Sequence, residues 1–247
     1  MCVESENDLV SLLQIGQIVK LTLRTMQDRL RSGMTTKQLD TIGWEVLKQH
    51  GAHSAPIITY KFPGITCISV NEEAAHGIPG SRIIRAGDLV KIDVSAELNG
   101  YFADAAITVP VPPVVPLHQR LCDCAKAACE AAIAVAKANT PINEIGRVAE
   151  MTIRQCGFHV IRELPGHGVG RALHEEPFNV ANYYRPLAKQ RLKEGLVLTI
   201  EPHIAAGSGR IVTEQDGWTL KTRDGSFAAA YEHTVVITKD RPIITTA

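Results

Sequence analysis

The chain has 247 residues, enough for one large domain or two small ones. Its 26 basic and 26 acidic residues give a formal net charge of zero, so the composition indicates neither a nucleic-acid partner nor an acidic solvating tail. No apolar stretch reaches the roughly 18 residues of a membrane span, and the acidic start MCVESENDLV does not have the pattern of a signal peptide, so we expect a cytoplasmic protein with no membrane association.

The first predicted elements are two helices. Apolar residues recur at helical spacing and predict a helix from about Asn7 to Leu30. Thr35 and Gln38 then have the spacing of a capping box, which predicts that a second helix begins there. Gly51 is the expected end of that helix.

The stretch IDVSAELNGYFAD, residues 92–104, predicts a β-hairpin with an aspartate on each strand. Its Asn-Gly pair is a strong signal for a two-residue turn. That turn places Asp93 opposite Ala106 and Asp104 opposite Ser95, so the aspartates are diagonal neighbours on one face, with Cβ atoms about 7–8 Å apart. Because a buried carboxylate needs a partner for its charge, this spacing favours two carboxylates that bind common metal ions.

The second half of the chain repeats the pattern of the first. A long helix is predicted from about Leu117 to Ala138, and another apolar stripe ends at Gly157. With a shift of 106 residues, LKQHGAH (47–53) aligns with IRQCGFH (153–159). With a slightly larger shift, RAGDLVKID (85–93) resembles KEGLVLTIE (193–201), which makes Asp93 and Glu201 equivalent.

This repetition predicts the architecture. We expect a single α+β domain over residues 1–247, with duplicated α–α–β–β halves at about 7–109 and 117–240. The two halves would share a sheet and be related by a pseudo-twofold axis. The PVPPVVP stretch, residues 110–116, would be a stiff crossover between them.

Further acids and histidines occur in similar settings. His167 lies in LPGHGVG, where the glycines allow close approach of other main chain; Glu201 follows the apolar run VLTI, and Glu232 opens another in YEHTVVIT. Together with the hairpin aspartates they form an oxygen-rich donor set that suits manganese, iron or cobalt. Taken singly, each residue has a structural alternative: a turn-bonded aspartate, a glutamate paired with a lysine, or a histidine satisfied in a turn or in the core.

Seven segments, taken together, carry a resemblance to a known family. HGIPG, IDV, the Asp104 segment, GHGVGRALHEEP, TIEP, DGWTLKT and YEHTVVIT resemble, in order and spacing, the type I methionine aminopeptidases of peptidase family M24, in their short, bacterial-type form. The resemblance implies the pita-bread fold, with a curved, mostly antiparallel sheet. It also implies a metal-dependent aminopeptidase that removes the initiator methionine before a small second residue, using a water or hydroxide that bridges two metals.

The resemblance also implies specific residues. Two divalent ions, with cobalt, manganese or iron favoured over magnesium or zinc, would be held by Asp93, Asp104, His167, Glu201 and Glu232. Glu201 would relay a proton to the leaving amine, His174 would stabilise the oxyanion, and His76 would contact the scissile bond or the substrate's amino end. The methionine pocket would comprise Phe62, Cys67, Leu173 and Trp218, with His76 and His174 beside it.

Some residues depart from the family pattern. Ala103 and Ala105 flank Asp104 where a glycine and a hydroxyl or small residue are usual, so we expect weaker binding at one metal site. Phe62 replaces a common tyrosine, Leu173 replaces a frequent phenylalanine, and His203 occupies a place that is usually apolar.

The partners implied are nascent polypeptides with N-terminal methionine, with transient association with the ribosome, and we expect a monomer. Two other hypotheses are open at this point. One is a proline-specific peptidase of the same fold, and the other is an inactive pita-bread protein that only binds peptides or proteins.

Overall fold

The computed structural model describes residues 1–247, and its four long helices form where the apolar spacing predicts them. Thr35 forms the predicted capping box with Gln38 at the second helix, and Ser5 forms another, not predicted, with Asp8 at the first. The third helix is a single short turn-and-a-half that the apolar pattern does not reveal. The helices are α1 (Glu6–Arg29), α2 (Thr36–Gln49), α3 (Ala55–Tyr60), α4 (Pro116–Val135) and α5 (Asn143–Gln155).

The strands are short, apart from those of the predicted hairpin. They are β1 (His53–Ser54), β2 (Cys67–Val70), β3 (Glu73–Ala75), β4 (Leu89–Leu98), β5 (Tyr101–Pro110), β6 (His159–Val160), β7 (Gly166–Gly168), β8 (Glu175–Val180), β9 (Val197–Ile200), β10 (His203–Ala205), β11 (Ile211–Thr213), β12 (Leu220–Thr222), β13 (Ala228–Ala230), β14 (His233–Val236) and β15 (Ile243–Ile244).

All strand pairs are antiparallel. β4 lies between β1 and β2 and also pairs with β5, while β14, β9, β7 and β8 follow one another in a second sheet that begins with β15. Two three-stranded sheets complete the structure, in the orders β13-β10-β6 and β11-β12-β3. Separate helices and antiparallel sheets make this an α+β architecture, as expected.

The two halves contain the same early elements. Each begins with a helix pair, α1–α2 or α4–α5, and then enters a two-residue strand, β1 or β6, at positions that correspond under the 106-residue shift. The first apolar core packs α1 and α2 against the β4–β5 hairpin, and the second packs α4 and α5 against β9 and β14. Each half therefore covers one side of the sheets with its own helix pair.

The halves join where β5 contacts the β13–β14 segment. The main-chain N–H of Glu232 donates to the Ala106 carbonyl at 2.8 Å. The Thr234 hydroxyl accepts from the main-chain N–H of Asp104 at 2.9 Å and donates to its carbonyl at 2.8 Å. Acids from both halves are thereby brought to one place. No helix in the structure combines the length and the apolarity that crossing a bilayer requires.

Candidate active site

The β4–β5 hairpin has the predicted register. Asp93 is paired with Ala106, and Asp104 with Ser95. Asn99 and Gly100 form the turn with φ angles of 52° and 79°, the left-handed conformation that a two-residue turn of this kind needs at both positions. The local sequence therefore determines that the two aspartates share a face.

The second half supplies two glutamates at breaks in its strands. Glu201 lies between β9 and β10, and Glu232 lies between β13 and β14. Ile200 pairs with His233 on one side of the break and His203 with Ala230 on the other, so a single register places Glu201 opposite Glu232. Both glutamates lie between assigned strands, where the β9–β14 and β10–β13 ladders are interrupted.

His167 lies at the centre of β7, between two glycines. A Cβ at Gly166 would lie 2.6 Å from the Thr199 carbonyl oxygen, so the close approach of β7 to β9 requires glycine there, as the sequence indicated. The Nε2 atom of His167 is 3.5 Å from Oε1 of Glu201 and 3.9 Å from Oδ2 of Asp104. Its Nδ1 is 3.0 Å from the Gly168 carbonyl, which accepts the ring proton and leaves Nε2 with a lone pair for a ligand.

The carboxyl cluster carries more negative charge than its surroundings stabilise. Burial, with the neighbouring acids, raises the pKa of Asp93 and of Glu232 well above the ordinary value. Burial raises the pKa of Glu201 to about 8 and lowers that of His167 to about 4. The charged forms of the acids therefore need a compensating cation, whereas the imidazole is neutral and free to coordinate.

Two orphaned atoms show that the donor set fits metal ions. Oδ1 of Asp93 and Oε1 of Glu232 are buried without a hydrogen-bond partner, which is rare for polar atoms in folded proteins. Ligand atoms of Asp104, His167 and Glu232 all lie within 4.8 Å of one another. Four carboxylates and one imidazole are a hard, oxygen-rich set typical of divalent cations such as manganese, iron or cobalt.

Hydroxyl groups orient these carboxyls. The Ser95 hydroxyl donates to Oδ1 of Asp104 at 2.8 Å, and the Thr199 hydroxyl donates to Oε1 of Glu201 at 2.6 Å. Sequence reasoning missed both roles, although the predicted hairpin register already placed Ser95 opposite Asp104. Thr199 also carried a signal, because residues two apart on a strand share a face.

The flanks of Asp104 cause no backbone strain. Ala103 is buried in regular strand and has no positive φ, so it needs none of the angles reserved for glycine. The hydroxyl that Ala105 lacks is provided from across the hairpin by Ser95. The expected loss of metal affinity at this position stays a prediction.

One cavity of about 480 Å³ contains the cluster and every other predicted site residue. Phe62 and Trp218 form part of its wall, with ring centroids 5.3 Å apart in an edge-to-face contact. We call Phe62, Cys67, Leu173 and Trp218 the apolar wall of the cavity. Cys67 lies directly opposite Asp93 in the β2–β4 ladder, so the apolar wall meets the acids there. The predicted residues in the lining are Phe62, Cys67, His76, Asp93, Asp104, His167, Leu173, His174, Glu201, Trp218 and Glu232.

Three further histidines surround the acids. His76 has a φ of 54°, an unusual conformation for a residue other than glycine and one that concentrates at functional sites. The His174 ring centroid is 3.9 Å from that of His167, and burial, with the neighbouring His167, lowers the pKa of His174 to about 4. His203 is buried in the cavity wall, where its Nδ1 lies 3.0 Å from the Glu201 carbonyl. At neutral pH His174 is therefore an uncharged imidazole.

A family model described as metallopeptidase family M24 matches residues 11–239, nearly the whole chain. The chain belongs to metallopeptidase family M24. This confirms the family resemblance inferred from the motifs, and metallopeptidases of this family use divalent metal.

Members of the M24 family resemble the chain over its full length. The chain is 47% identical to methionine aminopeptidase 2 of Bacillus subtilis over 247 residues, an alignment that covers 100% of this chain and 99% of the relative. It is 46% identical to a methionine aminopeptidase of Staphylococcus epidermidis, covering 100% of this chain and 98% of that protein.

Solved structures of M24 enzymes confirm the pita-bread fold. The methionine aminopeptidase of Thermotoga maritima superposes with a TM-score of 0.94 at 34% identity, covering 100% of this chain and 99% of that one. Prolidase from Pyrococcus furiosus superposes with a TM-score of 0.79 at 22% identity, covering 100% of this chain and 65% of that chain, which shows the fold alone.

Proposed function

We propose that the protein is a methionine aminopeptidase that uses divalent metal to hydrolyse the peptide bond after an N-terminal methionine. One observation carries the proposal: an apolar wall and a cluster of carboxyls and imidazoles share a single cavity. The wall suits a thioether side chain, and the cluster suits hydrolysis. The relatives' shared name, methionine aminopeptidase, supports the same activity.

The metal centre is proposed to hold two divalent ions, with cobalt, manganese or iron favoured over magnesium or zinc. Four carboxyls beside one imidazole carry more negative charge than one divalent ion would balance, which supports two ions. The proposed ligands are Asp93, Asp104, His167, Glu201 and Glu232. When bound, such ions supply a water that ionises near neutral pH and polarise the substrate carbonyl.

The side chains around the centre have separate proposed roles. Glu201 takes a proton from the attacking water and transfers it to the leaving amine, a task suited to a carboxyl that lies within the cluster beside the substrate cavity. His174, uncharged, donates a hydrogen bond to the developing oxyanion. His76 contacts the amino end of the substrate or the scissile bond.

The substrate side chain is proposed to lie against the apolar wall. Phe62 and Trp218 would contact the methionine through their edge-to-face pair, and Cys67 and Leu173 would close the pocket around the sulfur. The biological substrate would be a nascent chain with a small second residue. Transient ribosome contact, a monomeric state and a cytoplasmic location belong to the same proposal.

The test is a rate assay on metal-stripped protein after separate addition of manganese, iron, cobalt, zinc or magnesium. We expect Met-Ala-Ser to be cleaved with at least one of these metals, Leu-Ala-Ser to be a poor substrate, and Glu201→Ala to be inactive with a lower metal content. Preference for Xaa-Pro peptides would instead support a proline-specific peptidase. A folded protein that neither binds metal nor cleaves Met-peptides would support a peptide-binding protein.

A further inference from the structure

Tyr60 contacts a proposed catalytic residue from the other half of the chain. Its hydroxyl oxygen lies 2.8 Å from Nδ1 of His174, and the two rings are 5.5 Å apart at an interplanar angle of 59°. Both side chains line the cavity, and Tyr60 is 46% exposed. The tyrosine therefore lies at the mouth of the cavity, with its hydroxyl directed at His174.

The backbone explains how Tyr60 reaches this position. Tyr60 is the last residue of α3, and Lys61 ends the helix in the left-handed conformation, with a φ of 58°. The chain therefore reverses between Tyr60 and Phe62. The first residue is directed to His174, and the second enters the apolar wall beside Trp218.

The proposed direction of the hydrogen bond is from the phenol to the imidazole. Burial raises the pKa of Tyr60 further above its ordinary value, so the phenol keeps its proton at neutral pH and can donate it. An uncharged imidazole has one N–H and one lone pair. When Nδ1 accepts the phenol proton, the ring N–H must be on Nε2, and His174 can use that N–H as a donor.

We propose that Tyr60 is a positioning residue that keeps His174 in the tautomer with its proton on Nε2 and fixes the plane of the ring. The inference rests on the proposed function, in which His174 donates to the oxyanion of the substrate. Without the phenol, the ring proton would distribute over both nitrogens, and only one tautomer can donate from Nε2. Tyr60 acts through His174 and has no reacting atom of its own.

The kinetic test compares Tyr60→Phe with Tyr184→Phe in metal-loaded protein. Tyr184 is a matched control because it is also an exposed tyrosine, at 44%, and lies outside the cavity. Loss of one hydrogen bond that orients a catalytic group should lower kcat for Met-Ala-Ser about 5- to 10-fold in Tyr60→Phe. KM should stay within about twofold, and Tyr184→Phe should match the wild type.

The spectroscopic test reads the tautomer directly. Imidazole ¹⁵N shifts of zinc-loaded, diamagnetic protein, assigned with His174→Gln, should show a protonated Nε2 in the wild type and in Tyr184→Phe. In Tyr60→Phe the His174 shifts should move toward a tautomer mixture, while metal content and the unfolding midpoint match the wild type.

The outcomes separate this inference from the proposed function. Wild-type protein that fails to cleave Met-Ala-Ser with any metal would overturn the function and, with it, the catalytic role of the Tyr60 contact. Active wild-type protein with an unchanged kcat in Tyr60→Phe, or with an unchanged His174 tautomer in that variant, would overturn the Tyr60 assignment alone.

Discussion

The hydroxyl of Thr199 donates a 2.6 Å hydrogen bond to Oε1 of Glu201 and also accepts the main-chain N–H of His167 at 3.0 Å. Thr199 is fully buried on β9, so no water competes for either bond. A single hydroxyl thus connects two proposed metal ligands that lie on neighbouring strands.

Thr199→Val should therefore weaken metal binding without unfolding the protein. Valine keeps the buried volume but has no hydroxyl, so the Glu201 carboxyl loses its donor and can rotate away from His167. Loss of a group that orients a ligand typically lowers metal affinity about 10- to 100-fold. Isothermal titration of stripped protein with manganese or cobalt measures this change.

Thr152→Val is the matched control for this experiment. The Thr152 hydroxyl donates to the Val148 carbonyl within α5, at 3.0 Å and away from the cavity. That variant should bind metal as the wild type does. Equal affinity of Thr199→Val and Thr152→Val would contradict the orienting role of Thr199.

The hairpin acids illustrate what local sequence can determine. Alternating side chains and the Asn-Gly turn suffice to place Asp93 and Asp104 on one face, because a slip by one residue would move one of them to the other side. The predicted partners of both residues are those observed in the β4–β5 ladder. The internal repeat likewise predicted that Glu201 ends an apolar strand in the second half.

Contacts between the halves were beyond sequence reasoning. The pairing of Tyr60 with His174 depends on a left-handed Lys61 and on how the two halves pack, neither of which has a local signal. The same holds for Thr234, whose hydroxyl bonds both main-chain polar groups of Asp104 from 130 residues away. The family resemblance supplied the positions of the proposed ligands, and the structure adds the hydroxyl groups that hydrogen-bond to them.

The pKa of Glu201 leads to a prediction about the stability of metal-stripped protein. Burial raises it from the ordinary 4.5 to about 8, so the folded state holds this proton more tightly than the unfolded chain does. The contribution to the free energy of unfolding is then complete below about pH 4.5 and is lost as pH rises through 8. We expect EDTA-treated wild-type protein to lose, relative to EDTA-treated Glu201→Gln, of the order of 2–5 kcal/mol in urea unfolding between pH 5 and 8. The comparison cancels the opposite contribution of the buried histidines, whose pKa values burial lowers in both proteins.

Glu201→Gln should lack this contribution, because glutamine has no proton to lose, while the other buried acids and the histidines remain. Glu194→Gln is the control, since Glu194 is an exposed residue that pairs with Lys239 at 3.5 Å, away from the cavity. Saturating manganese should also remove the Glu201 contribution in wild-type protein by favouring the ionised carboxyl. Identical pH profiles for Glu201→Gln and the wild type, both stripped, would show that this proton does not govern stability.

Asp216 should influence substrate binding from outside the cavity. Its carboxyl accepts the main-chain N–H groups of Trp218 and Thr219, each at 2.8 Å, and the Thr219 hydroxyl at 2.6 Å. These bonds hold the turn that directs Trp218 into the apolar wall. Asp216→Ala should raise KM for Met-Ala-Ser about 3- to 10-fold with little change in kcat, since it removes binding that ground and transition states share.

Asp224→Ala controls for the loss of an aspartate that hydrogen-bonds to the main chain of a turn. Asp224 binds the main chain of Ser208 and Ser226 in a similar way, but it contributes nothing to the cavity. It should leave KM unchanged. A large fall in kcat for Asp216→Ala at constant KM would mean that the turn supports the chemistry and not the pocket.

The left-handed conformation of His76 predicts opposite effects on stability and activity. A side chain at a φ of 54° costs about 1–2 kcal/mol relative to an ordinary conformation, and glycine avoids that cost. His76→Gly and His76→Ala both remove the imidazole, so kcat/KM for Met-Ala-Ser should fall by the same factor in both variants, relative to the wild type. Only the glycine variant relieves the backbone, and urea unfolding should find it about 1 kcal/mol more stable than the alanine variant. Equal stability of the two variants would indicate that the strain at His76 is relaxed elsewhere in the cavity wall.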